Sequence, residues 1–202
     1  ALVDQIGADK PRAIGIDVIL SEHDIRYPSD DAELARSVAR AGNVVLPMVG
    51  ESGSSGARLR GPMDGLLAQT GHINMIVDTD GVARQVYLRE GDGEGPPVWH
   101  FAAAMAALGQ PTPVTAAQFR NERAVRMDGA GWISQDRLRI PFVGPPGSFA
   151  RVSVLDVLSG EVSRGYFRDK SVLIGTVATG LGDVFPTPVS RDGRAMSGVE
   201  IL

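Results

Sequence analysis

No cysteine occurs in the 202 residues. That single absence removes thiolate catalysis, thiolate zinc sites, iron–sulfur clusters and disulfide frameworks. It leaves the redox compartment open, because a cysteine-free chain is indifferent to it. Long apolar runs are also missing: none approaches the ~20 residues that cross a bilayer, and no charged stretch followed by an apolar core marks a signal peptide. Basic excess is absent as well. Lys and Arg number 20 against 24 Asp and Glu, for a formal charge of −4 and a pI near 5.4. This balance excludes a broadly basic protein that coats nucleic acid, so no nucleic-acid partner is expected.

What is present suits one packed domain. The hydrophobic fraction is 43%, and a chain of this length buries roughly 70% of its unfolded surface without a metal or disulfide staple. The chain opens mid-pattern at Ala1-Leu2-Val3 and stops at Val199-Glu200-Ile201-Leu202, which reads as the first turn of a helix. Ser197 and Glu200 have the spacing of a capping box. Residues 1–202 are therefore read as a single domain and a fragment of a longer protein.

Ala13-Ile14-Gly15-Ile16-Asp17-Val18-Ile19-Leu20 has the apolar, β-branched character of a strand buried on both faces. A helix is expected from Asp30, with Asp30 as its cap, Leu34, Val38 and Ala41 as its apolar stripe, and Gly42 as its end. Residues 43–49 then read as a second strand, completing a βαβ unit. Residues 50–56 form a Gly/Ser-rich stretch expected to be a flexible loop. Residues 71–76 and 82–88 flank Asp78-Thr79-Asp80-Gly81, a strong hairpin signal. An Ala-rich helix is expected over 98–108. Residues 152–158 predict a short helix capped by Ser153 and ended by Gly160, and 171–175 another buried strand. The resulting fold class is α/β, a mainly parallel, helix-covered sheet with an inserted antiparallel hairpin.

Few residues carry chemistry. Asp78-x-Asp80-Gly81 fails as an EF-hand loop, because Arg89 stands where the twelfth-position Glu belongs. The glycines of residues 175–183 lack both the Gly-Lys-Ser/Thr ending of a phosphate loop and the dinucleotide spacing. A tight turn, able to offer backbone N–H groups to a ligand, is the better reading. His23, His72 and His100 show no metal-ligand spacing, and no G-x-S-x-G elbow is present. Asp17, Glu22 and Asp24 cluster around the carboxyl end of the first strand, where open α/β sheets hold ligands. Three carboxylates there suit a divalent metal or a cationic ligand, and equally a polar loop in which Asp17 caps nearby backbone.

A series of motifs carries a family resemblance over nearly the whole chain. They include Pro11-Arg12-Ala13-Ile14-Gly15-Ile16-Asp17-Val18, Asp31-Ala32-Glu33-Leu34-Ala35, Gly71-His72-Ile73-Asn74 and Asp78-Thr79-Asp80-Gly81-Val82-Ala83-Arg84. Further on come Ile140-Pro141-Phe142-Val143-Gly144, residues 152–158, Val172-Leu173-Ile174-Gly175, Gly182-Asp183 with Thr187-Pro188, and Gly198-Val199-Glu200-Ile201. Together they resemble the second type of cyclase/histidine-kinase-associated extracellular sensing domain, the CHASE group. Ser197 stands where that family often has Pro, and Leu202 where it often has His.

The resemblance implies a non-enzymatic, periplasmic input domain anchored to the inner membrane through flanking segments. A cyclase, diguanylate cyclase or kinase output domain would lie in the same polypeptide, and the receptor would be a homodimer. It implies no cofactor and no resident metal. It gives the role and not the stimulus, so the ligand class, whether small molecule, ion or periplasmic protein, stays open. Candidate ligand-binding residues are Asp17, Glu22, Asp24, Asn74, Asp183 and Glu200. Asp17, Asp183 and Glu200 also suit a structural role, satisfying buried backbone and holding loops. The competing readings are a metal-dependent hydrolase built on Asp17, Glu22 and Asp24, and a pure dimerisation module.

Overall fold

The computed structural model describes residues 1–53, 56–108, 122–127, 131–177, 183–191 and 193–202. In chain order the first half runs α1 (Leu2–Ala8), β1 (Ala13–Asp17), α2 (Pro28–Ala41), β2 (Val44–Gly53), β3 (Gly56–Arg60), β4 (Gln69–His72), β5 (Ile76–Val77), β6 (Ala83–Gly91), β7 (Val98–Trp99) and α3 (Phe101–Ala107). Then follow β8 (Glu122–Met127), β9 (Ile133–Arg139), α4 (Val154–Leu158), β10 (Ser171–Gly175), β11 (Val184–Phe185), β12 (Met196–Ser197) and α5 (Gly198–Ile201).

β1 lies inside a mainly parallel sheet. It pairs with β10 from Ala13–Ser171 to Asp17–Gly175, and with β2 at Val44 and Val45. β2 pairs in parallel with β4 from Val45 to Met48. Side chains alternate across a strand, so the sheet has two apolar faces. Ile14, Ile16, Val44 and Leu46 pack with Val3 and Ile6 of α1, Val38 of α2 and Val157 of α4. Ala13 and Val45 face the other way, onto Phe101, Ala104 and Met105 of α3. Helices on both faces are what a parallel sheet requires. Gly71 lets α3 approach: a Cβ there would lie 2.6 Å from the Phe101 Cα.

The expected βαβ unit is present, with local differences. β1 stops at Asp17 rather than Leu20, because its partner β10 ends opposite it and Val18 and Ile19 turn out to solvent. α2 begins at Pro28 behind Tyr27, so Asp30 is a first-turn residue and not the cap; proline suits that position, where its missing N–H costs nothing. Gly42 ends the helix in the left-handed region at φ 70°. The Gly/Ser stretch is not a free loop. β2 continues through it and pairs with β3 from Val49–Arg60 to Gly53–Gly56, since glycine weakens a strand without forbidding its ladder. Residues 54 and 55 lie outside the described residues.

The hairpin is present too, inside a larger antiparallel sheet of order β5-β6-β9-β8, with β7 also on β6. Asp78 N–H donates to Val82 O at 3.0 Å, and Gly81 takes φ 78°. The run 71–76 is split, however: Gly71 and His72 belong to β4 of the parallel sheet, and only Ile76–Val77 pairs with β6. The Ala-rich helix starts at Phe101, because Val98 and Trp99 pair with Glu90 and Arg89. Ser153 caps α4, its Oγ accepting from Leu155 N–H at 3.1 Å, and Gly160 follows in the left-handed region. β10 is an edge strand rather than a doubly buried one, with Leu173 exposed. α5 forms at the expected place, but no side-chain capping bond is made by Ser197. Residues 178–182 of the glycine-rich turn lie outside the described residues.

Candidate functional site

The carboxyl ends of β1 and β10 lie side by side, and α5 sits on them. A Cβ at Gly175 would meet Val199 Cβ at 2.7 Å. Beside this contact opens a cleft of about 320 Å³, lined by Asp17, Asn74, His100, Asp183 and Gly198 and by apolar side chains including Ile73, Val86, Phe185, Ile201 and Leu202. A second depression, of about 370 Å³, lies at the start of β2 and β4 and has no ionisable side chain among the described residues that line it. The first is the site with chemistry.

Asp17 ends β1, so its carboxyl meets the cleft where the sheet stops. Burial, with Asp183 nearby as the smaller cause, pushes its pKa up from 3.8 to about 6. Asp183 precedes β11 and accepts the Gly198 N–H on its backbone carbonyl at 3.0 Å. Its side chain lies flat on Gly198, where a Cβ would come within 2.6 Å of Oδ1. A side chain at position 198 would have to displace that carboxyl.

Asn74 uses both ends of its amide to bridge two elements. Its Oδ1 accepts from Gly50 N–H at 3.0 Å, and its Nδ2 donates to Glu90 Oε2 at 2.7 Å. Glu90 is buried on β6 and also accepts from Ser134 Oγ of β9 at 2.8 Å. The amide therefore ties the β2 arm to the antiparallel sheet.

Two buried imidazoles stand behind the cleft, 5.1 Å apart and edge-on. Burial first, then His100, pushes the His72 pKa down to about 2, against a smaller opposing contribution from the Tyr87 backbone. Burial alone takes His100 down to about 4. His72 Nδ1 is 3.7 Å from Glu90 Oε2, beyond hydrogen-bond reach. His100 Nδ1 accepts from Ala102 N–H at 3.3 Å as the cap of α3. In the neutral ring this fixes the proton on Nε2, and that Nε2–H has no hydrogen-bond partner among the described residues.

Of the six residues expected from sequence, the structure brings Asp17, Asn74 and Asp183 to the cleft. Glu22 is exposed and pairs with Arg60 at 2.8 Å. Asp24 accepts from the N–H groups of Arg26 and Tyr27 and organises the turn before α2. Glu200 is buried and points away, accepting from Gly147 N–H at 2.7 Å and from Arg151 at 2.6 Å. The Asp17, Glu22 and Asp24 carboxyls are thus not one site, and among the described residues no group of three or more His, Asp or Glu is placed to hold a metal. This overturns the hydrolase reading built on them. His100 and Glu90 escaped the sequence reading, because nothing local marks a histidine or glutamate whose partners lie on other strands.

Among the described residues no helix is long and apolar enough to cross a membrane. Searches of curated proteins and of solved structures gave no match. The family model of the CHASE2 domain matches residues 1–202. The chain therefore belongs to the CHASE2 family of sensory, non-catalytic domains, which are associated with cyclase and kinase signalling receptors and are typically extracytoplasmic.

Proposed function

We propose that this domain is the periplasmic input of a bacterial transmembrane receptor, and that it sets the activity of a cyclase, diguanylate cyclase or kinase in the same polypeptide. The observation that supports this most directly is the double role of α5. Gly198, Ile201 and Leu202 are walls of the cleft, and Val199 is packed on the end of the central sheet. Whatever fills or empties the cleft bears on that helix. A stimulus shifts the receptor only by its differential affinity for two arrangements, each tenfold requiring about 1.4 kcal/mol. The receptor works as a homodimer anchored in the inner membrane by segments flanking the domain.

The test is output activity of the parent receptor in membrane vesicles. Gly198→Ala forces Asp183 and α5 apart and is expected to lock the output at one level, high or low. Gly95→Ala adds a methyl group into open space and serves as the control. Equal stimulus-responsive output from both variants would refute the coupling.

A further inference from the structure

β10 closes the parallel sheet on one side. It pairs with β1 over all five residues and, among the described residues, with no strand beyond it. Such an edge presents a row of unpaired N–H and C=O groups, which soluble proteins blunt with lysine, proline or a bulge. Ser171-Val172-Leu173-Ile174-Gly175 has no charge and no proline. Its surroundings are equally unprotected. Among the described residues, six of the fourteen large hydrophobic side chains that stand out in solvent fall within residues 143–175. Leu173 is 40% exposed on the face that carries α3. On the other face α4 buries only Val157, which shares an apolar cluster with Val172 and Ile174, and exposes Val154, Leu155 and Leu158. Val143 and Phe149 belong to the segment that Glu200 ties to α5, and α5 in turn packs on Gly175 at the end of β10. Together the six expose roughly 350 Å² of hydrocarbon, at ~100 Å² for a whole large side chain. A standard interface takes about 800 Å² from each partner, a little over half of it apolar, so this flank supplies most of the hydrocarbon that a small interface needs.

We propose that the β10–α4 flank is the homodimer interface of the receptor, the β10 strands of two copies pairing antiparallel about a two-fold axis centred on Leu173. The inference rests on the homodimer reading above and deepens it by assigning the surface. A second copy is the fitting occupant because the flank is self-complementary. Identical edge strands related by a two-fold satisfy each other's free backbone groups, and centring on the middle residue of β10 pairs its whole length. The two Leu173 side chains then cover each other on one face of the joined sheet, and α4 approaches its copy on the other. None of the six exposed side chains carries a charge that would call for a partner of opposite sign. The area is that of a weak interface, so the free domain should dimerise with a Kd of ~10–100 µM, while tethering two copies side by side raises their effective concentration to about millimolar.

Sedimentation velocity of the 202-residue chain, from micromolar to millimolar concentration, is expected to show a monomer–dimer equilibrium. Leu173→Lys sets two like charges opposite each other, and Leu155→Glu charges the α4 stripe. Each should weaken dimerisation at least ~tenfold. Leu67→Lys, at an exposed leucine beside β4 and away from β10, should leave it unchanged. Cooperative thermal unfolding checks the fold of each variant. Because this domain has no cysteine, Leu173→Cys in the parent receptor tests the register directly, with the unsubstituted receptor as the blank. Opposed Cα atoms in an antiparallel pair lie ~4.5–5.5 Å apart, within disulfide reach. Mild oxidation of receptor membranes should therefore yield a covalent dimer with Leu173→Cys and none with Leu67→Cys.

A chain that stays monomeric to millimolar concentration, dimerisation unweakened by both Leu173→Lys and Leu155→Glu, or no disulfide with Leu173→Cys would each overturn the interface. Two differently tagged receptor copies that still co-purify in that event leave the homodimer standing on another surface, whereas copies that fail to co-purify end both readings. A Leu173→Cys disulfide in a receptor whose output ignores Gly198→Ala would uphold the interface and refute the sensory coupling.

Discussion

Replacing Asp17 by Asn removes an ionisation that the folded domain resists, and it should stabilise the protein in a pH-dependent way. The folded-state pKa is about 6 against an ordinary 3.8. Below pH 3.8 the carboxyl is neutral folded or unfolded and contributes no difference. As pH rises from 3.8 to 6 the unfolded chain ionises while the folded domain holds its proton, so stability is lost across that window and stays lost above it. About two pKa units correspond to roughly 3 kcal/mol. Asp17 is partly exposed, and solvent screening reduces this to ~1–2 kcal/mol. In a domain of this size that is a rise of ~2–8 °C in the melting midpoint. Circular dichroism melts of wild type and Asp17→Asn from pH 4 to 8 should show near-equal midpoints at pH 4 and the full gap above pH 7. In an Asp183→Asn background the gap should shrink, because part of the repulsion has gone. A gap independent of pH, or an Asn variant less stable than wild type at pH 7.5, would refute the reasoning.

Acid should act oppositely on the two buried imidazoles. His100 and His72 are held neutral down to about 4 and about 2, so unfolded chains take up protons first as pH falls through 6.5, and stability is lost from there downward. Asp17 opposes one of these two protons between pH 6 and 3.8, leaving a net slope of ~1.4 kcal/mol per pH unit near pH 5. Urea titrations across pH should find it, and a flat profile would contradict the burial of the pair. Glu200→Ala removes the buried acceptor of Gly147 N–H and Arg151 and should cost ~2–4 kcal/mol by urea unfolding; a neutral result would show that the 145–151 loop does not need this anchor. Glu90→Ala strands the Asn74 amide and the Ser134 hydroxyl and should cost ~3 kcal/mol in the same assay, accompanied by faster amide exchange at Gly50.

The parallel half of the fold was legible because its signals are local. The apolar run at Ala13–Asp17, the Gly42 stop and the Ser153 cap each act within a few residues. The antiparallel half was legible only at its Asp78–Gly81 turn. β9, Ile133–Arg139, is largely polar and pairs with β6 over a long separation in sequence, so no window around it reveals a strand. The site divided similarly. Position at a strand end pointed to Asp17, and the family motifs to Asn74 and Asp183. Glu22, Asp24 and Glu200 share that acidic character but were claimed by Arg60, a turn and Arg151, and composition does not say which carboxylates are already engaged.

The Glu200 anchor also constrains how force travels. α5 is gripped at Gly198 and Val199 from the sheet side and at Glu200 from the loop of residues 145–151. A displacement of α5 therefore pulls on that loop through the Glu200 carboxyl. Phe149 and Val143, on and next to the loop, stand out into solvent. A protein that took hold of them would have a lever on α5 from the outside, with its hand nowhere near the cleft.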